Sequence, residues 1–195
     1  LAAQVDPQTA LPWPQPAAPG DTIWMGALDA AGTMVSFIQS VYWEFGSGVT
    51  LPEFGLVWNN RGMSFELDAM ATNGLGPGRK PFHTLNPAFA LLDDGRRLVY
   101  GTMGGEGQPQ TQAAVFTRYF QLGQPLGEAI AADRWLLGRT WGRADDDLKL
   151  EGALYDRAAD GLAARGHVLA RVPAGSEQMG HAGAIALGAD GSVDA

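Results

Sequence analysis

The sequence predicts an α+β fold in which helices cover the outer faces of mainly antiparallel sheets, and three observations carry that reading. Two apolar, β-rich runs at 23–28 and 34–42 are joined by Asp29-Ala30-Ala31-Gly32, an early hairpin that argues against a doubly wound parallel sheet. A second strand pair at 85–92 and 97–101, turned by Asp93-Asp94-Gly95, runs through a glycine loop into a helical pattern. Two further helical segments then alternate with short strands, which implies sheets stacked between helices in four layers.

Composition bounds the function classes. With 195 residues, 46% hydrophobic and 17% charged, the chain has enough apolar material for one domain, alone or as the completion of a larger fold. The 21 acidic residues against 13 basic ones, net -8, exclude nucleic acid and anionic membrane as expected partners, because phosphate binding needs clustered Lys and Arg. With no cysteine there is no disulfide framework, no thiolate metal site and no Cys nucleophile. No apolar run approaches the roughly 18 residues needed to span a bilayer. The chain opens on Leu1 in place of Met and is expected to be a fragment or processing product of a longer precursor. The cytoplasm is the expected compartment, with periplasm and secretion left open because the precursor's own start is missing.

Taken in order, residues 1–21 carry Pro7, Pro12, Pro14, Pro16 and Pro19, which fix φ and remove donors, so an extended connecting tail is expected. The hairpin begins just after Thr22. Phe45-Gly46-Ser47-Gly48 turns the chain into a strand at 49–51, and 54–58 reads as another, ending at Asn59-Asn60-Arg61-Gly62. Residues 68–80 form a loop long enough for a lid or binding segment. After the second strand pair come Gly101-Thr102-Met103-Gly104-Gly105-Glu106-Gly107 and a helix at 110–121 with Ala114, Val115, Phe116 and Phe120 on one side. Helices at 126–132 and 155–165, a strand at 167–172 after Gly166, and a last strand at 182–187 complete the reading.

Chemistry concentrates at a few of these joints. If the backbone were cut before Thr22, one residue would hold both a hydroxyl nucleophile and an α-amine of pKa roughly 7.7 to 8.0, able to act as its base. The Gly104-Gly105 pair is either a tight turn or a pair of N–H donors for an oxyanion at a helix N-terminus. It is not a phosphate loop, since no Gly-Lys-Ser/Thr follows. Ser40, across the hairpin, either bonds Thr22 or satisfies backbone and water. Arg61 offers a planar fork for a carboxylate, or is a solvated surface residue. His83 is read as a pocket donor, whereas His167 and His181 are structural or surface residues. The three lack zinc spacing, and Asp145-Asp146-Asp147 lacks the ligand pattern of a calcium loop, so neither metal nor cofactor is expected.

The order of these pieces, with Lys80-Pro81-Phe82-His83-Thr84-Leu85-Asn86-Pro87 between the paired asparagines and the glycine pair, resembles the small subunit of the γ-glutamyltransferase family. Its members are N-terminal nucleophile hydrolases, αββα sandwiches with mainly antiparallel sheets, made as one precursor that cuts itself before a threonine. The resemblance covers residues 22–195 and implies that residues 1–21 are the tail of the large subunit, upstream of the cleavage site, and that 22–195 are the catalytic part of a single domain. It makes Thr22 the nucleophile, Ser40 its supporting hydroxyl, and Gly104 and Gly105 the oxyanion hole. It also implies a large-subunit partner from the same precursor, as a heterodimer or a dimer of heterodimers, and a chain that stops before the terminal strand of family members.

The departures choose the substrate. Where family transferases hold the glutamyl amino group with an acidic residue and a glutamine, this chain has Arg61 and Ser64, and His83 and Thr84 stand in place of paired carboxylate-binding serines. A cation there disfavours an ammonium and favours an anion. Asn60 and Tyr42 complete the expected substrate-binding set. The stretches at 21–26, 135–142 and 179–183 resemble those of the family's oxamate-splitting amidohydrolases, which implies a small carboxylate-bearing amide as substrate, oxamate going to oxalate and ammonia. Two alternatives remain beside it: a γ-glutamyl transferase or hydrolase acting on glutathione-like substrates, and an unprocessed, non-catalytic paralogue.

Overall fold

The computed structural model describes residues 22–140 and 146–195; the expected tail at 1–21, the Asp21-Thr22 bond and Asp145 lie outside the described residues. Strands β1 (Thr22–Leu28) and β2 (Met34–Ser40) form the expected antiparallel hairpin, with Thr22 opposite Ser40 and Leu28 opposite Met34. Its turn is closed by Asp29, whose Oδ1 accepts from the N–H groups of Ala31 and Thr33. These bonds favour the ionised carboxyl and hold Asp29 below the usual carboxylate range. The strand expected to run to Tyr42 stops at Ser40, because Tyr42 turns into the left-handed region at φ 82°.

A small arm follows: β3 (Thr50–Leu51) pairs antiparallel with β4 (Leu56–Val57) around a 3₁₀ turn at Pro52–Phe54. The longer strands expected here are cut short by that proline-led turn and Gly55. β5 (Ala88–Leu91) and β6 (Arg97–Gly101) make the second hairpin, and β10 (Gly183–Leu187) adds antiparallel to β6, with β11 (Val193–Asp194) at the far edge. Helix α1 (Gln108–Phe116) starts two residues earlier than expected, with Pro109 in its first turn where a missing N–H costs nothing, and continues as a widened turn at Thr117–Gln121. α2 (Leu126–Ala131) follows.

A three-stranded sheet was only partly legible. β7 (Trp135–Leu137), β8 (Leu148–Glu151) and β9 (Leu169–Val172) lie side by side, with β8 and β9 parallel and joined by α3 (Gly152–Ala163). β8 alternates leucine and charge in sequence, the pattern of a half-exposed strand, yet all four of its residues are buried, Lys149 and Glu151 included. Lys149 is satisfied by Asp147 and the Gly138 carbonyl, and Glu151 by two backbone N–H groups, so charges sit where apolar side chains would be expected.

Period-2 alternation builds the layers. One face of the four-stranded sheet turns Leu98, Ala184 and Ala186 towards Leu126, with Phe116, Tyr119 and Ile130 packed around them. The other face meets the hairpin. There, Gly101 and Gly183 are register partners, and the Trp24 indole occupies the space above both. A Cβ added at Gly101 would stand 2.1 Å from Trp24 Cδ1, and one at Gly183 2.7 Å from Cζ3. Trp24 Nε1 donates to Ser36 Oγ at 2.9 Å, which anchors the ring's polar end. Gly101→Ala is therefore expected to displace the indole and destabilise the fold by about 1 to 3 kcal/mol, read as a lower urea midpoint with an unchanged m-value.

Hairpin, sheet and helices make three layers. The hairpin's other face, with Ile23, Met25, Val35 and Phe37 between 41% and 54% exposed, has no covering layer among the described residues. No described helix is long and apolar enough to cross a membrane.

Candidate active site

The alternation that buries Trp24 also places Thr22 and Ser40 on the inner face of the hairpin. Gly26 lies near Ile185, and Trp24 lies over the Gly101–Gly183 pair. The same progression along β1 carries Thr22 past the end of β6, towards the loop that follows it. Thr22 Oγ1 and Ser40 Oγ are 2.7 Å apart, so one hydroxyl donates to the other, and Ser40 Oγ also accepts the Tyr42 N–H at 2.9 Å. Of the two readings of Ser40, the structure favours the pairing with Thr22.

The loop after β6 holds Gly104 at φ 126° and Gly105 at φ 49°, and the Gly107 N–H donates back to the Gly104 carbonyl at 2.8 Å. Side chains are strained in both conformations, which accounts for glycine at both positions of the turn that leads into α1. A Cβ on Gly105 would come within 2.7 Å of the Thr140 carbonyl, so the loop rests directly on that residue.

A layer that sequence reasoning missed backs this loop. Thr140 Oγ1 donates to the Gln178 carbonyl, Thr111 Oγ1 to the Met179 carbonyl at 3.0 Å, and Arg134 Nη1 to the Met179 and Gly180 carbonyls at 3.1 and 3.0 Å. Glu151 takes the N–H groups of Arg134 and Ser176, at 2.7 and 2.8 Å. Burial works against the charge on Arg134, and the Glu151 carboxylate beside it restores part of it. In sequence Arg134 follows Asp133 and Glu151 stands two residues after Lys149, so nothing local marks the pair as buried partners.

Arg61 is not a solvated surface residue. It is 6% exposed, its guanidinium carbon lies 3.8 Å from the centre of the Tyr42 ring, and Nη1 donates to Thr84 Oγ1 at 3.1 Å. Its own N–H is taken by Asn59 Oδ1, the first of the paired asparagines and a residue outside the expected substrate-binding set. Asn60 is engaged at both ends of its amide, accepting the Trp43 N–H at 3.0 Å and directing Nδ2 at Met63 Sδ. Ser64 contributes its carbonyl, which accepts from the Asn73 side chain. His83 is exposed beside Arg61; its Nδ1 accepts the Leu85 N–H at 3.2 Å, leaving Nε2 as the outward donor. Partial burial first, and then the Arg61 charge, hold His83 below the usual imidazole range. Arg139 is a further cation missed in sequence: it lies 5.7 Å from the Trp43 ring centre and 3.9 Å from Glu106, at the edge of the glycine loop. In a chain of net charge -8, two arginines stacked on neighbouring aromatic rings make this corner locally suited to an anion. Among the described residues, no cluster of His, Cys, Asp and Glu is arranged to hold a metal.

Comparison with known proteins bears on the family and the fold. The gamma-glutamyltranspeptidase family model matches residues 1–195. An oxamate amidohydrolase proenzyme of Klebsiella pneumoniae is 55% identical over 194 residues, covering 100% of this chain and 37% of that protein. A glutathione hydrolase-like proenzyme of Bacillus subtilis, YwrD, is 41% identical over 171 residues, 88% of this chain and 33% of its own length. The chain thus spans about a third of the length of these two curated relatives. Among solved structures, a gamma-glutamyltranspeptidase from Pseudomonas nitroreducens superposes with a TM-score of 0.69 at 23% identity, over 88% of this chain and 91% of that one. That likeness shows the α+β fold of N-terminal nucleophile hydrolases, with mainly antiparallel sheets. Matched along its whole length by the family model and by a relative sharing more than half its residues, the chain belongs to the gamma-glutamyltranspeptidase family of enzymes.

Proposed function

We propose that the protein containing this chain cuts itself before Thr22 and then hydrolyses a small carboxylate-bearing amide, oxamate to oxalate and ammonia, through a threonyl ester. The observation that carries the choice of substrate is the buried Arg61, stacked on Tyr42 and bonded to Thr84, at the corner facing the nucleophile strand. The 55% identity to a protein named for oxamate supports the same choice.

In this reading Thr22 Oγ attacks the Asp21 carbonyl, the amide becomes an ester as the Thr22 amine is released, and water cleaves the ester to free the Thr22 hydroxyl and the Asp21 carboxylate. The boundary between large-subunit tail and catalytic part falls there. The exposed apolar outer face of the hairpin supports a large-subunit partner that supplies the fourth layer. Oγ then attacks the substrate amide while the amine takes its proton. The N–H groups of Gly104 and Gly105 face the tetrahedral oxyanion, a contribution of about 3 to 4 kcal/mol for each good donor. Collapse returns the proton to the leaving nitrogen, ammonia departs, and water hydrolyses the oxalyl ester.

A second reading, γ-glutamyl hydrolysis, is favoured by the glutathione hydrolase-like relative at 41% identity. One assay separates the two. The processed full-length enzyme is expected to release ammonia from oxamate with kcat/KM at least about a hundredfold above its cleavage of a γ-glutamyl anilide, as a lost ammonium clamp and a misplaced cation together imply. A preference for the anilide overturns the proposal.

A further inference from the structure

Tyr42 is the one non-glycine residue at positive φ among the described residues, and nothing in the chemistry proposed above requires that conformation. The left-handed region crowds a residue with a ring on Cβ, and such a conformation persists only where its surroundings over-determine it. Here they do so from three directions. Asn60 holds the chain on both sides of Tyr42: its N–H donates to the Val41 carbonyl at 3.2 Å, and its Oδ1 accepts the Trp43 N–H at 3.0 Å. Arg61 lies over the Tyr42 ring at 3.8 Å and is itself fixed by Thr84 through its guanidinium and by Asn59 through its N–H. The paired asparagines therefore act as a strap around one strained residue.

The strain has a product. With the chain pinned at the Val41 carbonyl and the Trp43 N–H, the orientation of the Val41–Tyr42 peptide that leaves Tyr42 at φ 82° is also the one that turns its N–H back two residues to Ser40 Oγ at 2.9 Å. A serine hydroxyl accepts two bonds and donates one. With one lone pair committed to the Tyr42 N–H, the Ser40 hydroxyl is restricted in rotation and directed at Thr22 Oγ1, 2.7 Å away. Once Thr22 gives up its proton, Ser40 is the member of the pair that can donate, and donation from Tyr42 polarises that hydroxyl further.

We propose that Tyr42 is a positioning residue for the nucleophile: its left-handed backbone, held by Asn60 and by stacking with Arg61, fixes Ser40 on Thr22. The inference rests on the reading of Thr22 as nucleophile, and it separates two effects in one residue. The backbone conformation acts on the chemical step, and the ring acts on the arginine that faces the substrate.

The test uses the processed full-length enzyme and compares Tyr42→Ala with Tyr42→Gly. Alanine loses the ring and also resists positive φ, whereas glycine loses the ring and adopts it freely. Tyr42→Ala is expected to lower kcat on oxamate by about tenfold or more. Tyr42→Gly is expected to recover most of that kcat while sharing the raised KM of the alanine variant. In a Ser40→Ala background, Tyr42→Ala should lower kcat no further, because both changes break the same relay. Equal kcat for the two Tyr42 variants, or additive losses with Ser40→Ala, overturns the inference. Crystal structures of the two variants decide the matter whatever the substrate proves to be. Ser40 Oγ should leave hydrogen-bonding distance of Thr22 Oγ1 with alanine and return with glycine; an unchanged pair in Tyr42→Ala overturns the inference. Failure of the wild-type enzyme on oxamate instead overturns the proposed substrate and leaves this structural comparison standing.

Discussion

Thr22→Ala is expected to leave a single uncut polypeptide at the full precursor mass and to abolish ammonia release, a loss of at least about a thousandfold in kcat. The size follows from the role: the same oxygen opens the Asp21-Thr22 bond and attacks the substrate, and the amine that would serve as base is liberated only by that first cut. The fold should survive, because the side chain contributes one half-buried hydroxyl whose partner, Ser40, keeps its bond from the Tyr42 N–H. Thr22→Ser retains the nucleophilic oxygen and should cut itself more slowly while still yielding active enzyme. Intact-mass analysis and an ammonia assay on the same preparations read both steps. Full activity in the alanine variant would put the catalytic centre elsewhere.

How much of this was legible in the sequence depends on the range of the interaction that fixes each residue. The hairpin was readable because its turn chemistry, Asp29 to Gly32, and its two apolar, β-rich runs are local. The pairing of Thr22 with Ser40 follows from that register alone. β8 was not readable, since Lys149 and Glu151 are buried by partners supplied from other segments, among them Gly138, Arg134 and Ser176. Trp24 shows the same limit from the other side: an indole on a strand is unremarkable until two glycines, from strands 82 residues apart in sequence, are brought opposite each other beneath it. In the site, the glycine pair announced itself through composition. The burial of Arg61 and the positive φ of Tyr42 arise only when the asparagine turn and the Thr84 segment meet the end of β2, and no single stretch of sequence encodes that meeting.

Arg61→Ala is expected to lower kcat/KM for oxamate by about two to three orders of magnitude, chiefly through KM. A desolvated guanidinium–carboxylate contact is worth about 2 to 5 kcal/mol on truncation, and 1.4 kcal/mol is a factor of ten. Its contacts include the Thr84 hydroxyl and the Tyr42 ring, and a thermal melt of the variant alongside wild type checks that the fold survives their loss. Arg61→Lys keeps the charge but gives up the planar fork and the stacking, and should restore only part of the affinity. The discriminating substrate is oxamide, which carries a second amide where oxamate has its carboxylate. If Arg61 binds the carboxylate, the loss on oxamide should be at least about tenfold smaller than on oxamate, since the deleted charge has no anion to meet. If instead the arginine acts mainly by holding Tyr42, both substrates should suffer alike and through kcat. The two roles thus predict different ratios from one variant, and the split between KM and kcat measures how the work of Arg61 is divided between recognising the substrate and setting the nucleophile.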